Sequence, residues 1–412
     1  MKKTFTSIFV LAALIVNAQS ADSVNTGGNG GRVSEVYYNF ETATQVSLDR
    51  TLWDIGLTSD LMNSSIIINE NAGVELYLYS AETADWSTVD TSGFSFKNIY
   101  NSEETWSFGA FSNQGTNHPD YGWGIYNMNT HDILGNRLFI VKTQTGDYLK
   151  VVIDKLDSDG VWFFRTAMLD GSNEKSYEYA KSKEESAAKN FALLNLSSGD
   201  FDYSNADTKA WDILFTKYVT TVAQGPVSLD MAVSGVKINA GCEVAERAGE
   251  DVTSNDTSSL SWGTSITEIG YDWKSFNRGT FQYEFTADLA YFVRTQSGAV
   301  WKIWFTGYEG GAVGKYVFNT EEIKAGVNSV EKHTNLNTNV YPNPTNGVLN
   351  ISNKENEGLN IMLLNAQGAV ILQTTANAFD ATRFDTKGLA KGVYFLQLST
   401  SNATSTQRVI FE

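Results

Sequence analysis

Residues 53–58 read Trp-Asp-Ile-Gly-Leu-Thr, and residues 211–216 read Trp-Asp-Ile-Leu-Phe-Thr. Three further blocks recur around this pair in the same order. Asn39-Phe40-Glu41-Thr42 is answered by Asn195-Leu196-Ser197-Ser198, and Tyr121-Gly122-Trp123 by Tyr271-Asp272-Trp273. The eight residues 139–146, FIVKTQTG, return as YFVRTQSG at 291–298. The offsets are 158, 156, 150 and 152. A fixed order with a drift of a few residues is what loop insertions leave between two copies of one module. The repeat therefore predicts two tandem modules, at residues 34–170 and 171–323.

Each copy is written in β code. Val36–Phe40, Ser64–Ile68, Val74–Tyr79, Arg137–Thr143 and Tyr148–Ile153 are β-branched and aromatic runs bounded by Gly, Asn, Asp or Ser. Gln144-Thr145-Gly146-Asp147 and Asp157-Ser158-Asp159-Gly160 read as hairpin turns, with Gly at the position that needs positive φ. A long hairpin closes each module, at 138–167 and 291–319. Residues 173–190, rich in Glu, Lys and Ala, are predicted to be partly helical or a connecting arm. Trp53, Trp211, Trp123 and Trp273 sit inside strand patterns, where an indole normally anchors a core. Aromatic residues make up 13% of the chain, which suits β-structure with large apolar faces.

The ends carry different signals. Lys2 and Lys3 precede an apolar run from Ile8 to Val16, and small residues stand at Val16-Asn17-Ala18. This is the pattern of a secretory signal peptide over residues 1–18, too short to span a bilayer. No cysteine lies at its end to take a lipid anchor. Residues 19–33 are small, polar and Gly-rich and are expected to form a flexible leader. A linker is expected at 324–339. Beyond it, short strands with regular turns predict a small Ig-like β-sandwich at 340–412. The expected fold is thus all-β throughout.

Composition narrows the function. A formal charge of -17 disfavours nucleic acid and anionic lipid as partners. Cys242 is the single cysteine, so no intramolecular disulfide forms. Three histidines and one cysteine do not make a zinc cluster. Gly310-Gly311-Ala312-Val313-Gly314-Lys315 mimics a phosphate loop, but Glu309 and Tyr316 occupy the positions of the first Gly and the Ser or Thr, so a hairpin loop is expected. The expectation is a protein without enzymatic activity and without a metal site of its own.

Two resemblances add to this reading. Val340-Tyr341-Pro342-Asn343-Pro344, then Leu349-Asn350-Ile351, then residues 389–396 (LAKGVYFL) and the terminal Arg408-Val409-Ile410 strongly resemble the type A sorting domain of type IX secretion. That resemblance implies recognition by the outer-membrane translocon and its sorting protease. It also implies release or attachment to surface lipopolysaccharide, and so a secreted or outer-membrane-surface location reached through the periplasm. Residues 211–218 (WDILFTKY), following the 191–198 strand, together with the 291–305 strand pair, resemble the HmuY family of extracellular β-rich haem-binding proteins. The match is best over the second copy.

That second resemblance implies haem, or another small hydrophobic ligand, as cargo. Haem capture in the family commonly uses two axial histidines inside an apolar pocket. The second copy has no histidine, and His333 lies in the linker. The candidate ligands are therefore His118 and His131, or His131 with Met128, with Trp123 and Tyr126 as candidate pocket aromatics. A structural or adhesive surface protein with no haem ligand is the alternative.

Overall fold

The computed structural model describes residues 20–28, 31–116, 118–324, 336, 338–354, 357–365, 370–385, 388–400 and 404–411. The expected signal peptide, His333 and most of the linker lie outside the described residues. The chain divides into a unit of residues 1–326 and a second of residues 327–412. Both are built of antiparallel strands, so the all-β expectation holds.

The larger unit has two lobes, each with its own core. One core gathers residues from Ile55 to Leu196, including Trp123, Trp162 and Phe139. The other combines Val24, Val36, Tyr38 and Phe40 with residues from Ile213 to Phe318, including Trp273. The lobes do not coincide with the sequence repeats. In the first lobe, Phe191–Leu194 of the second copy pairs with Ile55–Thr58 of the first, in the register Phe191↔Thr58 to Leu194↔Ile55. In the second lobe, Ser34–Tyr38 of the first copy pairs with Ile213–Gln224 of the second, from Tyr38↔Ile213 to Val36↔Phe215. The corresponding sheets have the same strand order. Phe201–Asp202, Phe191–Leu194, Ile55–Thr58 and Ile66–Ile68 answer to Gln45–Asp49, Ser34–Tyr38, Ile213–Gln224 and Val227–Ile238.

The boundary expected at 170/171 thus does not separate two compact modules. The leading segment of each copy closes the core of the other. Two further expectations change for the same reason. The Gly-rich leader holds the strand Ser20–Asn25, which pairs along its length with Lys315–Lys324. Residues 173–190 hold the strand Lys175–Ala180, which pairs with Val161–Met168, and a short 3-10 turn at Glu184–Ser186. Tyr177 and Tyr179 alternate with Ser176 and Glu178 there. Tyr177 stacks on Phe164 at 4.6 Å, and Tyr179 is fully buried. The period-2 burial of two tyrosines outweighs the helix propensity of the surrounding Lys, Glu and Ala.

Buried side chains lock the exchange in matching ways. Asp54 N–H donates to Leu194 O, and Asp212 N–H to Tyr38 O, both at 2.8 Å. The Asp54 carboxylate accepts Leu196 N–H, and the Asp212 carboxylate accepts Phe40 N–H, again at 2.8 Å. Asn69 and Asn239 each donate an amide N–H to the carbonyl of the preceding tryptophan, Trp53 or Trp211, at 2.8 Å. Gln144 and Gln296 brace the same corners, donating to Thr51 O at 2.9 Å and Thr208 O at 3.1 Å. The hairpin turns fall where expected, with Gly146, Gly160 and Gly298 at positive φ. The phosphate-loop look-alike is a short helical turn, Gly310–Val313, between two paired strands.

In the C-terminal unit, a three-stranded sheet (Thr338–Tyr341, Val348–Asn353, Ala381–Asp385) and a four-stranded sheet (Val370–Ala376, Leu359–Leu364, Gly392–Ser399, Thr404–Phe411) share one apolar core. The expected small β-sandwich is present. Asn343 of the Tyr-Pro-Asn-Pro motif clamps the last strand, donating to Arg408 O at 2.8 Å and accepting Ile410 N–H at 3.0 Å.

Two predictions follow from the exchange. A fragment of residues 50–206 contains a complete lobe and is expected to unfold cooperatively, whereas residues 34–170 lack both closing strands and are expected to stay unfolded; circular dichroism melts of the two fragments check this. Burial also pushes the Asp212 carboxyl up to about 6, from an ordinary value near 3.8. The folded state then holds a proton that the unfolded state has released. Asp212 therefore costs stability as pH rises from about 4 to about 6. Asp212→Asn is expected to flatten the pH dependence in that window, read as the difference between urea midpoints of variant and parent.

Candidate functional site

The sequence-predicted ligands lie together on one lobe, but at its surface. His118 and His131 both meet Tyr126, with ring centroids 5.2 and 6.0 Å away. The Tyr126 hydroxyl is 2.7 Å from His131 Nδ1, which leaves Nε2 of that ring as the nitrogen available to a ligand. Both histidines are exposed, and His131 sits at positive φ (63°) in a tight turn. Met128 is 74% exposed. Trp123 does not border this cluster as a pocket aromatic. It is fully buried, packs on Trp162 at 5.2 Å and donates its indole N–H to Ser64 O at 3.0 Å. In the following strand, Gly124–Tyr126, Ile125 is the exposed residue and Tyr126 is half-buried against the same core.

All four tryptophans expected as anchors are buried, though not all in a lobe's own core. Trp273 lies inside the second lobe's core and stacks on Phe305 at 3.9 Å. Trp53 and Trp211 instead lie between the lobes, in a separate apolar cluster with Tyr37, Leu48, Phe191 and Leu193. Tyr37 meets Trp211 edge-on at 5.1 Å, and Trp106 meets it edge-on at 6.2 Å.

A cavity opens inside this cluster, with about 60 Å³ open to the centre of a water-sized sphere. Besides Lys217, its wall carries three charged side chains that sequence reasoning did not single out. Glu35 accepts bonds from Thr216 Oγ1 at 2.9 Å and the Tyr37 hydroxyl at 3.2 Å. Glu70 accepts Asn101 N–H at 2.8 Å and Val219 N–H at 3.3 Å. Lys237 lies across from them, with Nζ 4.8 Å from the Tyr218 ring centre and 5.5 Å from that of Trp106. Burial raises both carboxyls above their ordinary values and lowers the Lys237 ammonium. Their mutual attraction opposes these shifts.

The charges break the symmetry of the fold. The matching hydrogen bonds place Lys237 where the first copy has Ile67, and Glu35 where the second copy has Phe191. Glu70 answers to Ala240 in the same way. Each charge thus stands opposite an apolar residue in its pseudo-equivalent position. Comparing the two copies position by position is the signal that finds these residues in the sequence, once the register is known.

Trp211→Ala is expected to lower the stability of the whole 1–326 unit by about 3–5 kcal/mol, because the indole is wedged between lobes that each hold a segment of both copies. Calorimetry checks this as one shifted transition; a split into two transitions would separate the lobes energetically.

No helix among the described residues is long and apolar enough to cross a membrane. No curated protein matches the chain. Residues 339–412 match the secretion system C-terminal sorting domain, so the C-terminal sandwich with its clamped last strand is a type IX sorting domain and the protein is exported to the medium or the cell surface.

Proposed function

We propose that the chain acts outside the cell as a non-catalytic binding protein of the HmuY type, carrying haem or another small hydrophobic ligand. The observation that carries the extracellular part is the sorting domain, whose partners are the type IX translocon and its protease. Anchoring to surface lipopolysaccharide after sorting belongs to the same reading. The ligand part is supported by the convergence of His118 and His131 on Tyr126, with His131 oriented by the tyrosine hydroxyl.

A second reading, a structural or adhesive surface protein without haem, is favoured by the exposure of both imidazoles and of Met128. Axial ligation gains strength from an apolar, water-poor surround, and this cluster faces solvent.

Titrating the mature protein with haemin separates the two. A sharpened Soret band that disappears in both His118→Ala and His131→Ala supports the haem reading; an unchanged haemin spectrum leaves the adhesive one. Export is tested independently. Deleting residues 339–412 is expected to leave the protein in the periplasm, and its appearance outside intact cells would remove the sorting domain from the account.

A further inference from the structure

The interlobe cavity holds polar groups with nothing to bond. Lys237 is 5% exposed, and among the described residues its ammonium rests on the Tyr218 and Trp106 rings, at 4.8 and 5.5 Å, without a hydrogen-bond acceptor or carboxylate within 4 Å. The nearby carboxylates of Glu35 and Glu70 are held by Thr216, Tyr37, Asn101 and Val219 instead. Glu70, Glu103 and Glu35 all attract Lys237 electrostatically without closing to an ion pair. Asn71, 4% exposed, leaves both Nδ2 and Oδ1 unbonded. Trp53 Nε1 and Asn205 Oδ1 are buried without partners as well.

Buried donors and acceptors are almost always satisfied by protein, ordered water or ligand. A cavity of this size has room for several waters or one small molecule. The unbonded groups form a pattern. Three are donors: the Lys237 ammonium, the Asn71 amide N–H and the Trp53 indole N–H. Two are acceptors, the side-chain oxygens of Asn71 and Asn205. Three donors, one of them cationic, suit the two oxygens of a carboxylate. Two acceptors suit an N–H or O–H close beside it. The Tyr37, Trp106 and Trp211 rings offer an apolar wall to the remainder of such a molecule.

We propose that the cavity between the lobes is a binding site for a small carboxylate bearing a neighbouring amino or hydroxyl group, a free amino acid or 2-hydroxy acid. Lys237 and the Asn71 and Trp53 N–H groups take the carboxylate. The oxygens of Asn71 and Asn205 take the ammonium or hydroxyl. Entry is from an adjoining open groove of about 610 Å³, which shares Trp106, Asn190 and Phe191 with the cavity. Trp106 is fixed between the two by its indole bond to Ile238 O at 2.9 Å. The site shares no residue with the His118–Tyr126–His131 cluster, so it stands whether or not haem binds there.

The test is calorimetric titration of the mature protein with glycine, alanine and lactate, with glycinamide and acetate as controls. Binding of an amino or hydroxy acid, with both controls at least about tenfold weaker, is expected, since each control lacks one half of the pattern. Lys237→Met is expected to weaken binding by about 30-fold or more. Asn71→Leu guards against loss through misfolding. The Asn71 side chain bonds to nothing, so the variant is expected to melt no lower than the parent while losing the ligand. Equal binding of acetate and glycine, undiminished binding by a folded Asn71→Leu, or no heat with any of the acids would each overturn the proposal. So would a crystal grown with the acid that shows only waters in the cavity.

Discussion

Two buried carboxylates hold the larger unit in its exchanged form. Asp54, in the first copy, accepts the N–H of Leu196 from the leading segment of the second. Asp212, in the second, accepts that of Phe40 from the first. Each is removed from water and costs the fold accordingly, which is why burial raises both carboxyls. What they secure is a sharp turn that places each leading strand on the other copy's core. The asparagine and glutamine braces and the interlobe tryptophans all follow from that placement. Without the two turns, the leading strands would lose their register against Ile55–Thr58 and Ile213–Gln224.

Much of this was legible from residues alone. The β content, the hairpin turns and the C-terminal sandwich followed from alternation and glycine placement. The repeat itself followed from four matching blocks. Its closure did not, because strand partners are chosen by long-range packing that a local pattern does not encode. The match of Asn69 to Asn239 was hidden for a related reason. The second copy extends the strands after Trp211 to twelve residues each, against four and three after Trp53, which shifts the offset. The leader misled because glycine-rich composition argues for flexibility only when no edge strand waits to pair with it. Residues 173–190 misled because propensity is a weak prior beside the buried Tyr179 and the half-buried Tyr177.

The histidines and the cavity show opposite failings. His118, His131 and Met128 drew attention through their chemistry, and the fold places them in solvent with a shared tyrosine. Glu35, Glu70, Lys237 and Asn71 are ordinary surface residue types, and only burial makes them unusual. Their positions around the cavity between the lobes explain how they are tolerated. Both copies contribute a wall there, so each can carry a different side chain without disturbing its own lobe's core. The duplicated frame supplies the box, and the departures from duplication supply its polarity.

The exchange also sets an order of assembly. A chain made from its N-terminus presents residues 20–38 early, but their long-range partners in Ile213–Gln224 and Lys315–Lys324 come much later. The first lobe, continuous in sequence, can close as soon as its own closing strand Phe191–Leu194 is through. The strand Ser20–Asn25 must wait for its partner across nearly three hundred residues of synthesis, while Ser34–Tyr38 can pair at once with Gln45–Asp49 on one side only. Contacts so distant along the chain form slowly and leave strand edges open to the wrong neighbour. A factor that holds this waiting strand open would govern yield far more than any factor acting on the first lobe.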